Sequence, residues 1–116
     1  KMRTSLMFLI LLDAKVICEL EICKMYFTYI TTNPGKNALY VGMTNNLKRR
    51  IWEHEANRGK PETFAGRYYC YKLVYFETFK TPMEAIVRED EIKDMSRDEK
   101  IKLIKSKNPG MNFLIP

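Results

Sequence analysis

Cysteine is sparse in this chain and poorly placed for metal. Cys18, Cys23 and Cys70 are an odd number, and none forms a CxxC pair. That usage argues against a structural zinc site and for a reducing, cytoplasmic compartment. Low-complexity tracts and internal repeats are also missing. Long apolar runs are absent: the most prominent, residues 6–12 behind Lys1 and Arg3, is too short to span a bilayer. Asp13 closes that run without a small-residue cleavage site, so a signal peptide is not expected either. Acidic residues are in deficit, 14 against 20 Lys and Arg, leaving a net charge of +6 that suits a polyanionic partner and no membrane. What remains is a globular composition, 46% apolar and 29% charged, and a length of 116 residues that fits one core.

The chain is organised around residues 26–54. Tyr26 to Thr32 is rich in aromatic and β-branched residues and reads as a strand. Asn33-Pro34-Gly35-Lys36-Asn37 is turn chemistry, with Pro fixing φ and Gly free to adopt φ > 0. Ala38 to Gly42 returns as a second strand, which a short hairpin makes antiparallel to the first. A helix follows, with Thr44 as its expected N-cap and Leu47 and Ile51 one turn apart. Projected at about 100° per residue, Arg50 and His54 flank the Leu47–Ile51 stripe, while Arg49 and Lys48 point to water. An Arg and a His at the core edge could meet a phosphate; they could equally be an ordinary helix edge with the imidazole lying over the core.

Residues 57–67 carry two glycines, a proline and the basic side chains Arg58, Lys60 and Arg67, and read as a loop. It serves either to track a phosphate backbone or as a solvated connector. Tyr68 to Phe79 is nearly solid with aromatic and β-branched residues, which predicts a central strand covered on both faces. Packing explains its aromatics better than base stacking does, though both remain open. Thr81-Pro82-Met83-Glu84 opens the next helix with a capping box. There the projection sets Glu89 within an apolar stripe between Ile86 and Ile92, with Arg88 and Glu91 on the far side. A carboxylate so placed must be paired, hydrogen-bonded or bound to metal; a buried pair with Arg50 is the plainer option. Ser96 to Glu99 forms a second capping box, and Asn108-Pro109-Gly110 ends that helix before a tail expected to pack back on the sheet.

The spacing of Tyr29, Tyr40-Val41-Gly42, Arg50 and His54, followed by Ala85-Ile86-Val87-Arg88-Glu89-Asp90-Glu91, resembles the GIY-YIG nuclease signature. The likeness covers roughly residues 25–113 and is nearest to the small standalone bacterial proteins of that superfamily, with the UvrC-type nuclease domain more distant. Phe27-Thr28-Tyr29 replaces the Gly-Ile-Tyr triplet, so only its tyrosine survives. The resemblance implies an α+β domain over residues 25–116 in the order β-β-α-β-α-α, a three-stranded, mainly antiparallel sheet flanked by helices. Residues 1–24 then read as an N-terminal extension.

For the site, the resemblance implies Tyr29, Tyr40, Arg50, His54 and Glu89 as catalytic residues. Glu89 would hold one Mg²⁺ or Mn²⁺, with Gly42 and Asn112 (or Asn108) structural beside it. Mg²⁺ needs only one or two carboxylates, with waters and substrate phosphates completing its shell. Arg50 would steady charge on non-bridging oxygens, and Tyr29, Tyr40 or His54 would handle the proton of an attacking water. Lys48, Arg58, Lys60 and Arg67 would contact nucleic acid, DNA more readily than RNA, in structure-dependent or weakly specific cleavage suited to DNA repair or recombination and directed by an unidentified protein partner. Two other classes stand beside this one: a nucleic-acid-binding module that cleaves nothing, and an interaction domain docking through its N-terminal apolar run. The helical phase generates a direct expectation. Arg50→Ala should lower any cleavage rate by about 10²–10³, as loss of one electrostatic donor typically does. Arg49→Ala should weaken substrate binding only slightly, and equal losses in a kinetic comparison of the two would refute the phase.

Overall fold

The computed structural model describes residues 24–116, beginning at Lys24; the expected extension and its possible docking surface lie outside the described residues, apart from Lys24 itself. Three strands, β1 (Tyr26–Thr32), β2 (Leu39–Thr44) and β3 (Lys72–Phe79), form one sheet in the order β2-β1-β3. Both pairings are antiparallel. Among the described residues four helices accompany the sheet: α1 (Leu47–Ala56), the single turn α2 (Phe64–Arg67), α3 (Pro82–Lys93) and α4 (Arg97–Lys107). The expected order therefore holds, with α2 as an added turn inside the region read as loop. Thr63 caps that turn, its side chain accepting from the Gly66 backbone N–H.

Strand alternation divides the interior into two layers. Ile30, Val41, Val74 and Tyr75 pack with Ile92 of α3 and Ile104 of α4 on one side. Tyr29, Leu47 and Leu73 form the other layer, joined by Phe27, Tyr40 and Ile51. Neighbouring residues of β1 thus serve different layers, and Tyr29 is delivered to the face that α1 covers.

The expectation of a central third strand is corrected, because β1 is central and β3 an edge. The dense apolar run has another cause. Register slips between Ile30 and Thr31, which pair with Tyr75 and Leu73 and leave Val74 as an extra residue. This bulge lets Val74 and Tyr75 both enter the α3/α4 layer while Leu73 enters the α1 layer, so consecutive residues are buried without a neighbouring strand on each side. Beyond Tyr75 the strand alternates between half-buried and exposed. Tyr68 and Tyr69, expected at its start, are exposed and precede it.

Two turn details also differ. Lys36, not Gly35, takes the left-handed conformation (φ 60°). The hairpin is held by Asn33, whose Oδ1 accepts from the backbone N–H groups of Asn37 and Ala38 at 2.9 and 3.0 Å. The N-cap of α1 is Asn46 rather than Thr44. Asn46 accepts from the Arg49 N–H at 3.0 Å, while Thr44 remains in β2 and accepts from the Asn46 N–H at 3.2 Å. Both expected capping boxes, Thr81/Glu84 and Ser96/Glu99, are formed.

The tail returns to the sheet. Leu114 N–H donates to the Leu73 carbonyl at 2.7 Å, and Asn108, the C-cap of α4, fastens this return. Its buried amide donates to the carbonyls of Val74 and Asn112 at 2.9 Å each, and its Oδ1 accepts from the Asn112 N–H at 3.0 Å. Asn108→Ala should therefore leave buried backbone groups without partners and cost about 1–3 kcal/mol, read by urea unfolding. Asn108→Asp, which keeps the acceptor but loses both donors, should recover only part of that loss.

Candidate active site

The centre of the site is the Tyr29 hydroxyl. It is buried, 2.7 Å from His54 Nε2, and accepts from Arg50 Nε at 3.3 Å. Each partner reaches it for a local reason. Asn46 starts α1 so that Leu47 enters the core, and Arg50 and His54 then lie one and two turns further along nearly the same line. Tyr29 needs space across the strand pair, and its β2 partner in register is Gly42. A Cβ on Gly42 would lie 2.5 Å from the Tyr29 hydroxyl oxygen and 3.0 Å from a Tyr40 ring carbon. Glycine is required there so that the phenol can lie over the strand.

Burial pushes the Tyr29 hydroxyl well above the ordinary tyrosine value; the Arg50 hydrogen bond opposes this, while nearby Tyr40 and Glu89 add to it. His54 moves the other way. Burial and then the Arg50 cation hold its imidazole down to about 4, so it is uncharged at neutral pH. Arg50 can only donate, so the simplest arrangement has Tyr29 accept from Arg50 and donate its own proton to His54 Nε2. This selects the Nδ1–H tautomer of the imidazole. Arg50 also pairs with Glu53 at 3.1 Å, and its side chain stays 38% exposed, leaving donors open to solvent. Tyr40 packs edge-on to His54 at 5.3 Å and tilted to Tyr29 at 6.3 Å.

Glu89 meets its predicted neighbourhood but not its predicted setting. Ile86 is 41% exposed, so the buried line of α3 runs through Ala85 and Ile92, and Glu89 borders it. Arg88 borders it on the other flank and is not directed to water alone: it reaches Glu77 of β3 at 3.0 Å as well as Glu91. The phase differs because α3 is anchored by its own backbone, the Ala85 carbonyl accepting from the Thr28 hydroxyl at 2.7 Å. Glu89 is not paired with Arg50. Its carboxylate is 19% exposed and meets Lys93 Nζ at 3.1 Å. Among the described residues, no group of three or more His, Cys, Asp or Glu is placed to hold a metal ion. One half-buried carboxylate with a flexible lysine partner nonetheless fits the sparse protein ligation that Mg²⁺ accepts.

The remaining candidates are scattered. Lys48 and Lys60 are exposed. Arg58 and Arg67 are partly spent on nearby backbone, donating to the carbonyls of Glu55 at the end of α1 at 2.7 Å and of Pro61 at 3.1 Å. Asn112 is exposed and bonded to Asn108 at the far end of α4, and Asn108 itself is committed to holding the tail. Two residues beside the cluster escaped the sequence reading. Glu53 orients Arg50, a relation visible in the i, i+3 spacing. Phe64, whose ring stacks on Tyr40 at 6.4 Å, carried no such signal.

The fold and this arrangement define a GIY-YIG-type domain, and comparison with known proteins agrees. Residues 25–102 match the model of the GIY-YIG catalytic domain, and the chain belongs to that family. It is similar to a UPF0213 protein of Clostridium perfringens, 44% identical over 84 residues that cover 72% of this chain and 87% of that one. A UPF0213 protein of Staphylococcus haemolyticus is 42% identical over 71 residues, covering 61% and 84% of the two chains. The solution NMR structure of the UPF0213 protein BH0048 from Bacillus halodurans aligns with a TM-score of 0.48 at 28% identity, covering 74% of this chain and 88% of that one. No helix among the described residues is long and apolar enough to cross a membrane.

The depressed imidazole has a consequence for stability. Between the ordinary histidine value of 6.5 and about 4, the unfolded chain binds a proton that folded His54 does not. Stability should therefore fall as pH drops through that window, by up to about 3 kcal/mol. His54 is the single histidine of the chain, so the slope between pH 6.5 and 5 is assignable. Urea unfolding across that range should show it in the native protein and show it flattened in His54→Gln.

Proposed function

We propose that the protein is a metal-dependent endonuclease that hydrolyses phosphodiester bonds of nucleic acid, DNA in preference to RNA, guided by strand structure more than by sequence. The observation that carries the reading is the buried contact of Tyr29 with an uncharged His54 and a cationic Arg50. A tyrosine serving only the core has no need of both a proton acceptor and a fixed cation at its hydroxyl. A binding module that cleaves nothing would gain little from this arrangement.

In this mechanism the phosphate enters beside Arg50, whose solvent-facing donors neutralise charge on the non-bridging oxygens. Tyr29 takes the proton of the attacking water as its own proton passes to His54 Nε2. Arg50 Nε, already at the phenolic oxygen, steadies negative charge formed there. Burial keeps Tyr29 protonated at rest, so its proton leaves only as His54 receives it. Burial and, after it, the Arg50 cation depress the imidazole; the arriving phosphate offsets the second of these and raises its capacity to hold that proton. Tyr40, packed against both rings, fixes their orientation. Glu89 would hold one Mg²⁺ or Mn²⁺, which supplies charge stabilisation at the phosphate and the leaving 3′ oxygen when bound.

The test is a cleavage panel of flaps, branches, single strands and duplexes, in DNA and RNA, with Mg²⁺ and with a chelator. Wild type should cut only with the metal. Glu89→Gln should lose that cleavage while binding the same substrates nearly as well, because shape is kept and charge removed. Wild-type turnover in the variant would shift the metal to Asp90 or Glu91. No cleavage of any substrate by wild type would favour the binding-module reading.

A further inference from the structure

Four rings run outward from the candidate site. His54 meets Tyr40 at 5.3 Å, Tyr40 stacks on Phe64 at 6.4 Å with 22° between planes, and Phe64 meets Tyr68 at 4.6 Å. The outer two are not core residues: Phe64 is 49% exposed and Tyr68 46%. They are held there deliberately by the backbone. Thr63 caps α2, and a Cβ on Gly66 would lie 2.4 Å from the Lys60 carbonyl, so the turn closes tightly enough to present both rings on one side. Beside them opens a groove of about 380 Å³, lined by Asn37, Leu39, Phe64, Tyr68, Arg97 and Lys100. That size falls within the roughly 300–1,000 Å³ of small-molecule sites.

Flat exposed aromatics next to two cations are the chemistry that holds an unpaired nucleotide, with the base stacked on a ring and its phosphate met by the charges. The geometry points to Phe64 and Tyr68 as a stacking platform for a splayed base of a single-stranded stretch, with Arg97 and Lys100 taking the adjoining phosphates. This rests on the reading of the Tyr29 cluster as a nuclease site and deepens it. The platform is continuous with Tyr40, so a strand seated on it leads directly to Arg50. A fully paired duplex hides its base faces and cannot use it, which gives a preference for strand structure a physical basis.

The experiment uses a fluorescein-labelled single-stranded DNA oligonucleotide and an abasic strand of equal length, both bound to the full chain in chelator at fixed salt. The abasic strand keeps every phosphate and lacks the bases. Wild type should bind the intact strand about ten- to a hundred-fold tighter, the scale of one or two stacked bases. Phe64→Leu with Tyr68→Leu should bring intact-strand affinity down to the abasic level and leave abasic affinity unchanged. Lys100→Gln should weaken both strands alike and reduce the salt slope by about one. Equal binding of intact and abasic strands by wild type overturns the proposal even if the double variant does not fold. Mg²⁺-dependent cleavage alongside equal binding would sink the platform and leave the nuclease reading standing. Base-dependent binding without cleavage of any substrate would do the reverse.

Discussion

The contact on which the site depends is the phenol of Tyr29 lying over Gly42 to meet His54 and Arg50. It requires three things of the fold. The central strand must send alternate residues to different layers, β2 must leave a gap in register with Tyr29, and α1 must begin so that its buried line carries Leu47 and His54 together. None of these is local to the site. Each is a property of sheet pairing or helix phase, so the hydroxyl inherits its position from the architecture.

Low dielectric around that hydroxyl then separates the proton affinities of its partners. Burial disfavours both phenolate and imidazolium, holding Tyr29 protonated and His54 uncharged. A neutral donor meets a neutral acceptor with a fixed cation alongside. Arg50 is joined to this cluster from a half-exposed position, so its fork can face a ligand while its Nε remains tied to the core.

Along α3 the charges are arranged differently. Arg88 binds Glu77 and Glu91, and Tyr75 shares Glu77, so charges at the edge of β3 are mutually satisfied. Glu89 occupies the other flank of the same helix, where it pairs with the exposed Lys93. Two adjacent charged residues on α3 thus have opposite characters, one locked into the sheet edge and the other more readily released. The cause is helical geometry, since neighbours about 100° apart straddle the buried line through Ala85 and Ile92.

The linear chain by itself determined the three strands and three longer helices (not the turn α2), the hairpin, both capping boxes and the helical phase that separates Arg50 from Arg49, because turn chemistry and periodicity act over a few residues. The family signature was legible for the same reason: its residues sit at fixed distances along one hairpin and one helix, with Glu89 on a second helix that follows. Tertiary structure decided what those ranges cannot reach. The dense apolar run of β3, an edge strand, reflects a bulge between Ile30 and Thr31 that lets the consecutive residues Val74 and Tyr75 enter the same layer. The cap passed from Thr44 to Asn46 because β2 extended through Thr44 to complete its pairing with Phe27. The phase of α3 followed from docking Ala85 on Thr28, a contact between residues distant in the chain. The lowered proton affinity of His54 exists only in the folded chain, because folding removes water from its ring and sets Arg50 beside it.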